Sequence, residues 1–237
     1  MIINELEKSD IQINASNNRY IYDNRCVPRV TEILSSMLHE EYLMKWANNL
    51  GFKRKGYMTT LNEAADKGTY THLSIEHYLR EGKEPDYDSL PYLCVNAVKN
   101  TFGSFLSWWQ IITSMNDVEI LYQEKKLCCK WFGGTLDALI KINGRTWLVD
   151  FKSSNHPSYK YFLQLSAYRY ILKIEENIDV DGCLVLMLDK TQIKFTEQIV
   201  DLSSSEGLTF IESCEETFMS LLYAYYRRMD IENQYKN

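Results

Sequence analysis

The stretch GGTLDALIKINGRTWLVDFKSS, residues 133–154, determines the centre of the fold. Apolar and polar side chains alternate on both sides of Asn143-Gly144, which is the pattern of two strands joined by a tight turn. Asn-Gly favours a two-residue turn because both residues accept the positive φ that this turn needs. If these two residues form the loop, counting back along the strands places Asp137 directly opposite Asp150.

The two aspartates of this hairpin need a partner. Opposed residues on one face have Cβ atoms about 4.5–5.5 Å apart, and like charges in that arrangement destabilise a sheet. Lys152 follows Asp150 by two residues, so it lies on the same face. A salt bridge from Lys152, a shared proton or a divalent cation would each relieve the repulsion. Because Lys152 supplies one positive charge for two carboxylates, we favour the cation, which hard oxygen ligands suit.

The remaining sequence predicts helices and further strands around the hairpin. Helical periodicity prevails in the first half, and alternation begins at Val118. Helices are predicted over residues 31–51, 60–82, 91–115, 158–176 and 205–230, strands over 118–129, 130–142, 145–153, 182–188 and 193–200, and a short hairpin within 11–23. This order predicts an α/β fold with a central mixed β-sheet flanked by helices.

The length and composition indicate an ordinary globular protein. The chain has 237 residues, of which 45% are hydrophobic and 24% charged. We expect a single domain, 1–237, with a mostly helical part, 1–117, and a β-β-β-α-β-β-α core, 118–237. No apolar run approaches about 20 residues, and the acidic N-terminus lacks a signal-peptide core, so we expect no membrane partner and a cytoplasmic location.

The charge and the cysteines limit the classes of ligand. The net charge is −6, so binding of nucleic acid needs a local basic surface or bound metal ions. The sequence contains no P-loop, so no nucleotide cofactor is expected. No cysteine pair has C-x-x-C spacing, which argues against a zinc ribbon or an iron–sulfur cluster; the cysteines are Cys26, Cys94, Cys128, Cys129, Cys183 and Cys214.

Four short motifs occur in a fixed order along the chain. They are KGTYTHLSIEHYL (67–79), GGTLD (133–137), WLVDFKSS (147–154) and QLSAY (164–168). In this order they resemble the motifs of the PD-(D/E)xK nuclease superfamily, in particular its RecB-like and phage-exonuclease members, and are similar to those of mitochondrial genome maintenance exonucleases. The resemblance rests on the order of the four motifs more than on any single motif. It implies a restriction-endonuclease-like core.

The resemblance implies a set of metal ligands. Asp137, Asp150 and the backbone carbonyl of Phe151 would hold one or two Mg²⁺ or Mn²⁺ ions. His72 would be a further ligand contributed by the helical part of the chain. Glu124 matches a more variable acidic position of the family. Without the motif, a surface ion pair between helix neighbours would be the ordinary interpretation of the histidine.

The resemblance also assigns residues around the metal. Lys152 would orient or deprotonate the attacking water. Gln164 and Tyr168 would form the Q-x-x-x-Y motif, which contacts DNA or orients groups of the site; their spacing places them on one helix face. A core tyrosine is the alternative. We expect Gly134, near Asp137, to leave room for a phosphate or metal, or to form a β-bulge.

The function that follows is hydrolysis of DNA. We expect a metal-dependent exonuclease that acts on single- or double-stranded ends, leaves 5′-phosphates, and serves recombination, repair or phage replication in a bacterium or phage-infected cell. An endonuclease of the same fold and a non-catalytic nucleic-acid-binding protein are alternatives. A homo-oligomer or a recombination partner protein would fit this role.

A basic segment between two aromatic residues is the candidate DNA-binding surface. FKRKGY, residues 52–57, contains Lys53, Arg54 and Lys55. A strand backbone could contact these cations while a base stacks on a flanking aromatic ring. A solvated loop is the alternative.

Overall fold

The computed structural model describes most of the chain. The described residues are 12–14, 19–38, 48, 52, 56–154 and 156–236. Within them the strands are β1 (Gln12–Asn14), β2 (Arg19–Tyr22), β3 (Arg25–Val27), β4 (Val118–Cys128), β5 (Gly133–Ile142), β6 (Arg145–Lys152), β7 (Gly182–Leu188) and β8 (Phe195–Asp201). The helices are α1 (Val30–Met37), α2 (Tyr57–Glu81), α3 (Tyr92–Met115), α4 (Lys160–Glu176) and α5 (Ser205–Lys236).

The central sheet has five strands in the order β4-β5-β6-β7-β8. All neighbours are antiparallel except β6 and β7, which are parallel. Parallel neighbours need a crossover connection, and α4 provides it. The predicted fold class, a mixed sheet flanked by helices, is confirmed. The second half of the chain has the element order β4-β5-β6-α4-β7-β8-α5.

Alternation along the strands divides the core between the two faces of the sheet. Leu139 and Leu148 pack on one face with side chains of α1, α4 and α5. Ala138 and Val149, their neighbours in sequence, pack on the other face with side chains of α2 and α3. The hairpin therefore lies between two helical layers, which exclude water from both of its faces.

The first part of the chain departs from the prediction at two points. A third strand, β3, pairs with β2 to extend the predicted hairpin into a three-stranded sheet. The predicted end of the helix over 31–51 is wrong, because α1 ends at Met37 and the backbone of Leu38 is extended. The Lys160 ammonium donates to the Leu38 carbonyl at 2.9 Å, a tertiary contact that replaces the next turn of the helix.

Two further features bear on the predicted class of protein. Among the described residues, no helix has the length and apolar character that a membrane span requires. Cys94, Cys128, Cys129, Cys183 and Cys214 are buried free thiols. Burial raises the pKa of Cys128 and of Cys183 to about 12, so both stay protonated and unreactive.

Candidate active site

The predicted register of the β5–β6 hairpin is confirmed. Ladder pairs run from Ile142–Arg145 to Ala138–Val149. Asp137 and Asp150 come next in that register, at the point where the ladder ends. There Asp137 Oδ2 accepts a hydrogen bond from the Phe151 amide at 2.7 Å. One oxygen of Asp137 is thereby fixed to the neighbouring strand, and Oδ1 remains to face the site.

Glu124 lies on the strand on the other side of Asp137. The β4–β5 pairs that flank it place Glu124 opposite Asp137. Its φ is +44°, a left-handed conformation that a glutamate adopts at a cost of about 1–3 kcal/mol. Strain of this kind is concentrated at functional sites. Glu124, Asp137 and Asp150 thus occupy adjacent positions on three neighbouring strands.

His72 reaches the carboxylates from α2. Its Nδ1 lies 3.6 Å from Asp137 Oδ1 and 3.7 Å from Glu124 Oε1. Burial disfavours the charged imidazolium, but Asp137 and Glu124 outweigh burial and raise the pKa of His72 to about 9. The helix neighbour Glu76 pairs instead with Arg80, at 2.9 Å. The alternative interpretation, a surface ion pair between His72 and its helix neighbour Glu76, is therefore wrong.

Asp150 is the buried member of the acidic set, with 1% of its surface exposed. Its Oδ1 accepts from Lys152 Nζ at 2.8 Å and from Gln164 Nε2 at 3.2 Å. Its Oδ2 is buried and has no hydrogen-bond partner among the described residues. Burial, with Asp137 adding to it and Lys152 opposing it, raises the pKa of Asp150 to about 6.

Lys152 is held by three groups at the end of β6. Besides Asp150, its Nζ donates to Gln164 Oε1 at 3.3 Å and lies 5.3 Å from the centre of the Tyr161 ring. Burial lowers the pKa of Lys152, but Asp150 and Asp137 outweigh burial and raise it. The side chain is therefore a fixed cation. The salt bridge weighed for Lys152 from the sequence is present.

Gln164 and Tyr168 lie on one face of α4, as predicted. Gln164 Nε2 donates to Tyr168 Oη at 3.3 Å as well as to Asp150. Both side chains are buried, and burial raises the pKa of Tyr168 well above its usual value, so the phenol stays neutral. The pair links the helix to the Asp150–Lys152 ion pair.

Gly134 provides space for a side chain of the protein. A Cβ at this position would lie 2.3 Å from Cε1 of Tyr168. The expectation that the missing side chain leaves room for a phosphate or metal is wrong, because the Tyr168 ring occupies that room. Sequence alone did not show that this glycine and the tyrosine of the Q-x-x-x-Y motif touch.

Replacing Gly134 with alanine should displace the Tyr168 ring. We expect Gly134→Ala to lower the free energy of unfolding by about 1–3 kcal/mol, the usual cost of overpacking. Thermal unfolding measures the change. Gly68→Ala is the control for glycine loss without a clash, because a Cβ there would lie 3.6 Å from Ser153 Oγ, an ordinary van der Waals contact. The double change Gly134→Ala with Tyr168→Leu should recover part of the loss, and no recovery would contradict the steric explanation.

The donor groups of the site fit a divalent cation. His72, Glu124 and Asp137 each offer one ligand atom, and these atoms lie within 4.8 Å of one another. Carboxylate oxygens with one imidazole suit ions such as Mn²⁺ and Mg²⁺. The unpartnered Oδ2 of Asp150 is a further buried oxygen that requires a cation or a donor. The Phe151 side chain packs in the core with α2 and α3, where its ring lies 6.4 Å from the His72 ring, so its backbone carbonyl is the group that it could offer to a metal.

The predicted DNA-binding residues fall into two groups, one outside the described residues and one buried in the site. Lys53, Arg54 and Lys55 lie outside the described residues, while neighbouring Phe52 is exposed. Gln164 and Tyr168 are buried and bonded within the site. The sequence analysis missed Tyr161, whose ring lies beside the Lys152 ammonium.

Comparison with known proteins finds solved structures of weak similarity. No family model and no curated protein matches the chain. Two solved structures of an alkaline exonuclease (LHK-Exo) from Laribacter hongkongensis are similar at 13% identity and a TM-score of 0.33. The first alignment covers 55% of this chain and 70% of that one. The second structure is a complex with dAMP, and its alignment covers 74% of this chain and 92% of that one. The function of this protein follows from the chemistry of its site.

Proposed function

We propose that this protein is a metal-dependent deoxyribonuclease that hydrolyses phosphodiester bonds at DNA ends and leaves 5′-phosphates. One observation carries the proposal: the buried Asp150 Oδ2 has no hydrogen-bond partner among the described residues. Asp150 is next in the hairpin register to Asp137, which together with His72 and Glu124 offers ligand atoms within 4.8 Å of one another. Lys152 and Gln164 donate to the other oxygen, Oδ1, but a buried acceptor without a donor is costly, and a bound cation would remove that cost.

The residues of the site divide into ligands and positioning groups. His72, Glu124, Asp137 and Asp150 would hold the ion, which when bound polarises the scissile phosphate and lowers the pKa of a water. Lys152, fixed against Asp150 and Gln164, places a positive charge where the phosphate gains negative charge. Gln164 and Tyr168 hold Asp150 and Lys152 in place from α4.

Cleavage assays with divalent metal test the proposal. The protein is titrated with Mg²⁺ or Mn²⁺ on linear DNA labelled at the 5′ or the 3′ end, and on a closed circle. Shortening of linear DNA from its ends supports the proposal, and the labels show the direction of digestion. Cuts in the circle would instead identify an endonuclease. If neither metal gives cleavage at any concentration, the protein is not a nuclease.

Removal of the histidine should weaken metal binding. We expect His72→Ala to raise the dissociation constant of Mn²⁺, measured by calorimetry, by at least the roughly 10–100-fold that loss of a supporting group costs at metal sites. His77→Ala is the matched control, because His77 lies on the same helix and, among the described residues, forms its ion pair with Glu81, at 3.6 Å. Equal affinities for the two variants would remove His72 from the ligand set.

A further inference from the structure

Three lysines lie near the site without ion pairs. Lys67 is on α2, and Lys190 and Lys194 are on the loop between β7 and β8. Within the described part of the chain, none of the three ammonium groups forms an ion pair. Lys126 and Lys141 likewise form no ion pair among the described residues, so the feature that needs an explanation is the grouping of three such cations in one region of a chain with net charge −6.

The topology places these lysines at the end of the sheet that carries the site. β7 runs parallel to β6, and Lys152 is paired with Met187. The loop that carries Lys190 therefore begins just beyond the level of Lys152. On α2, a Cβ at Gly68 would lie 3.6 Å from Ser153 Oγ, so the turn that carries Lys67 lies beside the residue that follows Lys152.

A shallow pocket of about 130 Å³ lies between the residues that follow β6 and the β7–β8 loop. It is lined by Ser154, Met187, Asp189, Lys194 and Thr196. Asp189 is the acidic residue among them, and its carboxylate is engaged within the loop: Oδ1 accepts from Thr191, at 2.7 Å from both the amide and the hydroxyl, and Oδ2 accepts from Gln192. The pocket leads from the strand end of Lys152 to the Lys194 side chain.

The loop is anchored to α3 through its backbone. Asn100 Nδ2 donates to the Lys190 carbonyl at 3.0 Å, and the Lys194 amide donates to Ser104 Oγ at 2.8 Å. The contact is close, because a Cβ at Gly103 would lie 3.0 Å from Ile193 Cδ1. Lys190 and Lys194 therefore project from a fixed scaffold, as residues that position a ligand must.

Among the described residues, no ion pair compensates the three ammonium groups, although the Asp189 carboxylate adds one negative charge to the pocket. Lys190 is half-buried, and burial together with nearby Lys67 lowers its pKa. Placing two cations near each other with no anion between them is unfavourable in the isolated protein. A ligand that brings negative charge along this line would remove that cost.

We propose that Lys67, Lys190 and Lys194 bind the sugar–phosphate backbone of the DNA strand whose scissile phosphate lies beside Lys152. The inference rests on the proposed nuclease function and names a path for its substrate. A backbone fits because the cations belong to two elements, α2 and the β7–β8 loop, at the same end of the sheet, so they can contact more than one phosphate of a strand. Lysine ammonium groups bind phosphate as point charges and read no base, so the contact should be independent of sequence.

The salt dependence of DNA binding tests the path. A fluorescent single-stranded oligonucleotide is titrated with protein at several salt concentrations, with Ca²⁺ in place of Mg²⁺ to limit cleavage. We compare the wild type with the triple variant Lys67→Gln, Lys190→Gln, Lys194→Gln. The slope of log K against log salt should fall in magnitude by about 0.7 for each lost contact, hence about 2 in total. KM for cleavage should rise while kcat stays near that of the wild type.

Matched variants separate charge from folding. Lys141→Gln removes the same charge from β5, on the part of the strand paired with β6 near the Asn143-Gly144 turn, and should bind like the wild type. Lys194→Gln alone, at an exposed position, should reduce the slope by about 0.7 even if the triple variant is unstable. Lysine-to-arginine changes at the three positions should preserve binding.

The outcomes distinguish this inference from the proposed function. If the wild type cuts DNA and the triple variant keeps its slope and KM, the backbone path is wrong and the nuclease proposal stands. If the wild type binds DNA through the lysines but never cuts, the nuclease proposal is wrong and the binding surface stands. Absence of both binding and cleavage in the wild type overturns both.

Discussion

Asp150→Asn should reduce the rate of DNA cleavage by about 1000-fold, because in the proposed mechanism loss of this carboxylate removes an oxygen that would hold the metal. A metal supplies several kcal/mol of transition-state stabilisation, and each 1.36 kcal/mol is a factor of about ten in rate. Asparagine keeps the shape of the side chain and an acceptor for Lys152. The measurement is kcat with Mg²⁺ and with Mn²⁺. Asp179→Asn, an exposed aspartate paired with Lys173, is the control.

The same variant should be at least as stable as the wild type at neutral pH. The pKa of Asp150 is raised from its usual value to about 6, so the native state favours the protonated form. Stability from this group is present at low pH and is lost as the pH rises through about 6. Asparagine carries no such penalty. In EDTA, the Tm of the variant relative to the wild type should therefore rise as the pH increases from about 4 to about 6, and should change little at higher pH.

Measuring both folding and cleavage of Asp150→Asn distinguishes a structural role of the carboxylate from a catalytic one. If Asp150→Asn loses cleavage together with its folded state, the carboxylate is needed for folding and the assay says nothing of metal. If it folds and cuts at the wild-type rate, Asp150 is not a ligand and the proposed mechanism is wrong. If Asp150→Asn keeps its stability but loses cleavage, Asp150 is a residue that serves function at a cost to stability.

The hairpin could be predicted because its register depends on local features. The Asn143-Gly144 turn and strict alternation fix which residues of β5 and β6 are opposed, and the observed pairs agree. The Q-x-x-x-Y pair could be predicted for the same reason, since helix spacing alone sets its face. These parts of the site required no knowledge of distant contacts.

The remaining features depend on contacts between distant parts of the chain. The position of His72 beside Asp137 results from the packing of α2 on the sheet, which spacing in sequence does not encode. The left-handed backbone of Glu124 is held by the strands around it, whereas its sequence favours an ordinary strand. The end of α1 at Met37 is likewise associated with a contact from Lys160 on α4.

The electrostatic balance explains why the site is stable without an ion and still able to bind one. Charged His72 faces Glu124 and Asp137, and Lys152 faces Asp150, so each carboxylate group has a nearby cation. A divalent cation would replace the proton of His72, since imidazole must be neutral to be a ligand. Lys152 would stay charged, because its partner Asp150 keeps one oxygen directed toward it.

Lys152→Met should reduce kcat by about 10²–10⁴-fold, the usual contribution of a group that assists proton transfer or stabilises charge in the transition state. Methionine preserves the length and apolar stem of the side chain, and binding of Mn²⁺ should remain because the ligand set is untouched. Lys125→Met is the control: Lys125 lies on β4 of the same sheet and pairs with Glu176 at 3.2 Å, away from Asp150. A wild-type rate for Lys152→Met would remove the lysine from the mechanism.

Arginine at the same position distinguishes the two roles considered for Lys152. Arginine stays protonated in proteins, so it can supply positive charge but cannot accept a proton from water. The pKa of Lys152 is raised by Asp150 and Asp137, which indicates a group that acts as a cation. We therefore expect Lys152→Arg to be more active than Lys152→Met. If the two variants are equally inactive, and both bind Mn²⁺ normally, the lysine is required in its neutral form and must take the proton from the attacking water.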